Sequence, residues 1–339
     1  MFSFESFVDL PLIWYLLIAT AIFLYILLDG FDLGVGILFP FAPTDRCRDR
    51  MMNSIAPFWD GNETWLILGG GGLFAAFPLA YVVLMPALYI PVIIMLLGLI
   101  FRGVAFEFRF KATGKSRRIW DHSFHFGSLV AAFMQGVIIG AIVQGIEVEG
   151  RKYAGGAFGW LDAYSVMTGV AVVFGYALLG GTWLVMKTED ETQAWARKSA
   201  SYVIGYVAIF LAIVSISMPV MNPEIRMRWF SLPNFFFLLP IPTASLVMLI
   251  IIWRDLHAGR EVRPFLLSFG VFLTGYIGIA ISMWPYIIPF EITFRRAAAA
   301  PESQSLLLIG TAVMLPLILV YVGYCYYIFR GKASHESAY

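Results

Sequence analysis

The sequence predicts an all-α integral membrane protein, a polytopic bundle of about nine transmembrane helices, and three observations carry that prediction. Hydrophobic residues make up 60% of the 339 and charged residues 13%, with a mean hydropathy of +0.80, a balance foreign to soluble globular domains. The apolar residues gather into runs of about 20 or more, the length a helix needs to cross the hydrocarbon. Backbone groups in lipid must be satisfied within the segment, and these runs are too long and uniformly apolar for barrel strands. A formal net charge of +1 with no basic tail excludes the positive field that nucleic-acid binding requires.

The first run, residues 10–37, follows MFSFESFVDLP, which has no positive leader and no small-residue cleavage site, so it reads as a retained span. The second and third, 52–80 and 84–108, are nearly continuous; FPLAY and Pro86 mark the turn between them, and eight spans are the alternative. Runs at 123–146, 160–186 and 199–220 follow. The seventh, 233–253, is interrupted by Pro240 and Pro242, and the eighth, 264–289, is distorted at its end by Pro285 and Pro289. The ninth covers 305–329. The longest connections, 109–122, 187–198 and 221–232, are too short for a core of their own. Residues 1–339 therefore read as a single membrane domain with no soluble domain and no internal repeat.

Lysine and arginine set the orientation. The loops after spans one, three, five and seven, with the C-terminal tail, hold 16 basic residues; the opposite side holds six, and Arg102 lies inside a span. The N-terminus is predicted outside (periplasmic) and the C-terminus cytoplasmic.

Orientation converts position into depth. At 1.5 Å per residue, Asp29 lies about 13 Å and Asp32 about 9 Å from the inner end of span one, Asp60 roughly 12 Å and Glu63 roughly 16 Å into span two, and Arg102 roughly 9 Å above the inner end of span three. Glu107 falls near the interface. Asp29 and Asp32 are spaced i,i+3, as are Asp60 and Glu63, so each pair projects from one helix face. Gly30-x-x-x-Gly34 in span one, followed by Gly69–Gly72 in span two, predicts close approach of these two helices. An unpartnered charge at the bilayer centre costs about 2.5–3.5 kcal/mol on insertion scales, so some of these groups are protonated, paired with Arg102, hydrated or bound to a cation. Three readings stay open: a structural ion pair with hydrated acids, a proton uptake path from the cytoplasm, and a cation site at Asp32, Asp60 and Asn62.

The four histidines, His122, His125, His257 and His335, fall in loops, span ends or the tail, and none faces another at mid-membrane; no haem-ligand pair is visible. Met218, Met221 and Met227 follow apolar faces as packing residues. Cys47 and Cys325 form no CxxC and read as free thiols. Trp59, Trp65, Trp229 and Trp284 sit toward span ends as an interfacial belt.

The run LLDGFDLGVG in span one, followed by MMNSIAPFWDGNETWLILGGGGLFAAFPLAY, resembles the signature of subunit II of the cytochrome bd family of quinol:oxygen oxidoreductases. LIFRGVAFEFR at the end of span three and ISMWPYIIP late in the chain extend the likeness across the sequence. The brief outer loop after span six resembles the cyanide-insensitive branch. The resemblance implies a respiratory complex in the bacterial cytoplasmic (inner) membrane, in which a partner subunit I carries two haems b and one haem d, oxidises quinol and reduces oxygen to water. It assigns no catalytic residue and no haem ligand to this chain, and it admits a quinone as a structural, lipid-like ligand and a small single-span accessory subunit. The matching positions are Asp29, Asp32, Trp59, Asp60, Asn62, Arg102 and Glu107; Glu63 stands where some members carry Gln. On that basis Asp60 leads the expected proton path, with Asp29, Asp32, Glu63 and Glu107 in support and Arg102, Trp59 and Asn62 as its structural, ion-pairing frame. Two other classes compete: a proton- or cation-coupled transporter, and a purely structural scaffold subunit.

Overall fold

The computed structural model describes residues 9–333; His335 and the segment before Asp9 lie outside them. Helix α1 (Leu10–Leu38) opens the chain, with the Asp9 side chain capping Leu12 N, and ends in a short 3-10 turn at Phe39–Phe41. Helices α2 (Asp45–Ile55), α3 (Trp59–Ala76), α4 (Pro78–Arg109) and α5 (Gly114–Gln144) follow. A two-stranded hairpin, β1 (Val148–Glu149) with β2 (Lys152–Tyr153), leads to α6 (Ala163–Lys187), which starts in a capping box between Asp162 and Ser165. Then come α7 (Asp190–Met221), α8 (Pro223–Phe230), α9 (Asn234–Leu238), α10 (Pro240–His257) and α11 (Val262–Met283). The hairpin β3 (Tyr286–Ile288) with β4 (Ile292–Thr293), the short α12 (Phe294–Ala297) and α13 (Pro301–Ile328) complete it.

Among the described residues, eight helical segments are long and apolar enough to cross a membrane: α1, α4, α5, α6, α7, α9–α10, α11 and α13. This is a multi-pass, all-α membrane protein. The expected second span differs from 52–80. Pro57 cannot continue a helix without losing a backbone bond, so residues 45–55 form the separate α2, capped by Thr44 accepting from Cys47 N, and α3 starts at Trp59. That leaves α3 with 18 residues, and Asp60, Asn62 and Glu63 in its opening turns keep it outside the eight.

The turn between the second and third runs falls at Phe77, where the backbone leaves the helical region (φ −134°, ψ 62°) and Pro78 begins α4. Pro86 and Pro91 lie inside α4. The chain reverses there, because Glu63 and Arg102 approach to 3.7 Å. Were α3 and α4 collinear, a rise of 1.5 Å per residue would hold them roughly 58 Å apart. Pro240 opens α10 at its first turn, where its missing N–H costs nothing, and so separates α9 from α10.

Close packing is concentrated on α1, α5 and α6. A Cβ on Gly34 would fall 1.9 Å from Tyr176 O, and one on Gly180 2.3 Å from Gly34 C, so the glycines of α1 admit α6 and not α3 as the sequence suggested. Gly69 and Gly72 of α3 instead meet Ile22 and Ile18 of α1. Gly98 and Gly127 let α4 and α5 cross within van der Waals limits: a Cβ on Gly127 would lie 2.8 Å from Arg102 N. In lipid, where tails are as apolar as leucine, such contacts and interhelical hydrogen bonds supply the association energy. The crossing of α4 and α5 is what fixes Arg102 in place.

Candidate functional site

Three helices build the polar cluster. α1 and α3 run antiparallel, as the pairs Asp32–Asn62, Ile22–Gly69 and Ile18–Gly72 require, and α4 returns alongside. Arg102 Nη2 donates to Asp29 Oδ1 in an ion pair whose side chains are 1% and 0% exposed, and Glu63 Oε2 lies 3.7 Å from the same nitrogen. The Trp59 ring lies 5.5 Å from the guanidinium and stacks on Phe106. That is a cation–π contact away from water. Asn62 Nδ2 donates to Asp32 Oδ2 at 2.7 Å and to Leu28 O at 3.2 Å. Oδ1 of Asp32 and Oδ2 of Asp29 are buried without a hydrogen-bond partner.

Asp29, Asp32, Asn62, Glu63, Arg102 and Trp59 therefore come together as the sequence expects. Asp60 and Glu107 do not join the buried part: both are exposed, Asp60 because α3 begins at Trp59 and leaves it in the first turn. Asp60 remains one helical turn from Glu63, within reach of its charge. The cation set of Asp32, Asp60 and Asn62 is not assembled. Asn62 turns its nitrogen toward Asp32 and its oxygen accepts from the Tyr326 hydroxyl at 2.9 Å. Among the described residues no group of three or more His, Cys, Asp or Glu is placed to hold a metal ion. His125 Nδ1 contacts Gly36 O and His257 Nδ1 contacts Trp253 O.

Several contributors escape a reading of the sequence. Gln135, in the middle of α5, donates to the Tyr25 hydroxyl (2.7 Å) and accepts from the Tyr176 hydroxyl (2.6 Å), and Tyr25 sits beside Asp29. A lone amide inside VAAFMQGVIIG was the available signal, since polar groups at mid-span are rarely idle. Tyr326, within CYYIF, is indistinguishable in sequence from belt aromatics. A second buried guanidinium, Arg109, is 0% exposed and donates to Asp121 Oδ1 (2.5 Å) and Asp49 Oδ1 (2.7 Å), with Arg117 also on Asp49. It ties α2, α4 and α5 at one end of the bundle. An apolar crevice of about 100 Å³ lies between α1, α3 and α13, lined by Trp14, Ile18, Trp65, Leu68, Thr311 and Leu315 among others.

Known proteins match this architecture over almost its whole length. A bd oxidase structure from Geobacillus thermodenitrificans superposes with a TM-score of 0.74, covering 96% of this chain and 100% of that one at 16% sequence identity, which speaks to the fold alone. Cytochrome bd ubiquinol oxidase subunit 2 of Bacillus subtilis (strain 168) is 29% identical over 339 residues, 96% of this chain and 97% of that protein. Cytochrome bd-I ubiquinol oxidase subunit 2 of Escherichia coli (strain K12) is 29% identical over 364 residues, 97% and 96% of the two chains. The model of the family "Cytochrome bd terminal oxidase subunit II" matches residues 10–329, and the chain belongs to that family.

Proposed function

We propose that this chain is the non-haem subunit of a membrane-bound, electrogenic quinol:oxygen oxidoreductase, that it supports the haem-bearing subunit I, and that it supplies a cytoplasm-facing path for the protons consumed when oxygen is reduced to water. The observation that carries the reading is the sequence of burial through one cluster: Asp60 exposed, the Glu63 side chain 29% exposed, Asp32 and Asp29 buried. One guanidinium, Arg102, faces three carboxyls, Asp29, Glu63 and Asp32. In an apolar surrounding the excess is made neutral most cheaply by protons. A cluster in that condition takes up and releases protons without leaving a fixed charge in lipid. Asp60 and Glu63 collect them, Asp32 receives them, and the Asp29–Arg102 pair holds the field constant.

Here α3 acts as a ninth crossing, the N-terminus faces outward and the C-terminus inward, and residues 1–339 form one domain of the bacterial cytoplasmic membrane. The haems, two b and one d, belong to subunit I, and this chain's described histidines, His122, His125 and His257, lie toward the ends of α5 and α10. The crevice between α1, α3 and α13 suits the isoprenoid tail of a structural quinone, and an accessory single-span subunit has exposed helix faces to pack on. Glu107, exposed near the end of α4, lies outside the path.

The test purifies the chain with its native partners, records a reduced-minus-oxidised haem spectrum and measures quinol-driven oxygen uptake. Asp32→Asn and Asp60→Asn are expected to slow oxygen consumption severalfold with the haem spectrum intact. Normal turnover and normal membrane-potential generation in both variants overturn the proton path. The scaffold reading is favoured by the closed Asp29–Arg102 pair; it predicts that the same substitutions change stability alone.

A further inference from the structure

Helix α13 is fastened at its two ends. None of its central window is buried, and it rests on α1 and α3 alone among the long helices with substantial contact. At its first turn Gln304 Nε2 donates to Ala76 O and Gln304 O accepts from Trp14 Nε1, both at 3.1 Å. At its last turn the Tyr326 ring stacks on Phe58 with centroids 4.4 Å apart. Beyond the helix, Lys187 Nζ donates to Phe329 O and to Gly331 O (2.6 Å), while Ala333 N donates to Lys187 O at 2.7 Å. Lys332 Nζ reaches Thr188 O (3.0 Å) and Glu261 Oε2 (2.6 Å). The tail is thus clamped to the ends of α6 and α11, and the clamp sets where Tyr326 stands.

Where Tyr326 stands matters because of what Asn62 is. A carboxamide has one accepting and one donating end. The Tyr326 hydroxyl donates to Asn62 Oδ1 at 2.9 Å, and the Leu28 carbonyl, which can only accept, takes a hydrogen from Asn62 Nδ2 at 3.2 Å. The carbonyl fixes the orientation, the phenol, able to donate or accept, satisfies the amide oxygen in it, and the remaining amide hydrogen lies on Asp32 Oδ2 at 2.7 Å. Without the phenol, the amide oxygen loses its partner inside the bundle, and Asn62 is held only through its nitrogen, by Leu28 O and Asp32 Oδ2.

We propose that Tyr326 is a positioning residue for the buried carboxyl of Asp32, acting through Asn62, so that the docked C-terminal segment of the chain governs the hydrogen bonding of a group it never touches. The inference rests on the proton-path reading for its effect on turnover, but not for the coupling itself. Tyr326 makes no contact with a reacting group; its part is to hold the amide.

The test uses the assembled complex and infrared difference spectroscopy, with the Asp32 carboxyl band identified by its loss in Asp32→Asn. Tyr326→Phe is expected to shift that band and to slow quinol-driven oxygen uptake severalfold. In the Tyr326→Phe, Asn62→Leu double variant, turnover is expected to be no slower than in Asn62→Leu alone, because the two residues act in series. Should Tyr326→Phe fail to assemble, 3-fluorotyrosine placed at position 326 alters donor strength while keeping the ring, and the band is expected to move with it. A band that stays put under either change, or slowing that adds in the double variant, overturns the proposal. If the band moves while Asp32→Asn turns over normally, the positioning role stands and the proton path falls.

Discussion

Helices α6 and α13 belong to one bundle and invert the usual relation between hydropathy and burial. In α6 67% of the most apolar window is buried, with a hydropathy of 1.8; in α13 none is buried and the hydropathy is 2.4. Water would impose the opposite order. In a bilayer the outer surface is the apolar one, and a helix surrounded by other helices is selected for small residues and hydrogen-bonding groups. The α6 sequence shows this in Gly180, Gly181, Thr182 and Ser165, all buried against neighbours, while Gly310 and Gly323 of α13 have open space around them. Between these two helices the higher hydropathy goes with the open face and the lower with the core.

That contrast yields graded expectations. The largest effect is at the centre of the packed region: Arg102→Leu leaves Asp29 buried without its counter-ion and should cost about 3–5 kcal/mol, read as lost complex in detergent. Asp29→Leu added to it should recover much of the loss, and a fully stable Arg102→Leu single variant would refute the pairing. Next, Gly34→Ala places a methyl against the Tyr176 carbonyl and should destabilise by about 1–3 kcal/mol, whereas Gly310→Ala should stay within about 0.5 kcal/mol. Thermal unfolding of the two variants side by side measures this. If Gly310→Ala also disrupts assembly, the exposed face of α13 meets protein and not lipid.

The smallest expected effect is at the rim. The Lys332 ammonium holds the Glu261 carboxyl below its ordinary value of 4.5, helped by Gln193. A carboxyl depressed in the folded state contributes stability above its ordinary value and loses it as pH falls through the folded one. Protease sensitivity of the C-terminal tail should therefore rise as the pH falls below that ordinary value of 4.5, and Glu261→Gln should abolish that dependence.

Much of the site was legible because charge in an apolar run is rare. DGFD, WDGNETW and Arg102 stood out against their surroundings, and helix rise alone put them in one layer. Helix partners were not legible: Gly30-x-x-x-Gly34 announces a close approach without saying to what, and the structure gives it to α6. The boundary of α3 was hidden because Met51 and Met52 are apolar enough to extend the run, although Pro57 ends it. Tyr326 and Gln135 were missed for different reasons, the first masked by its aromatic neighbours and the second by being uncharged.

The reversal at Phe77 and Pro78 bears on how the protein is made. Two helices joined by a single non-helical residue have no loop in which the first can wait while the second is synthesised. With α3 as the proposed ninth crossing, the two are expected to reach the bilayer as one hairpin, with Glu63 and Arg102 in it together. Arg102 is then expected to arrive with a carboxyl on the same short length of chain before it meets Asp29 of α1.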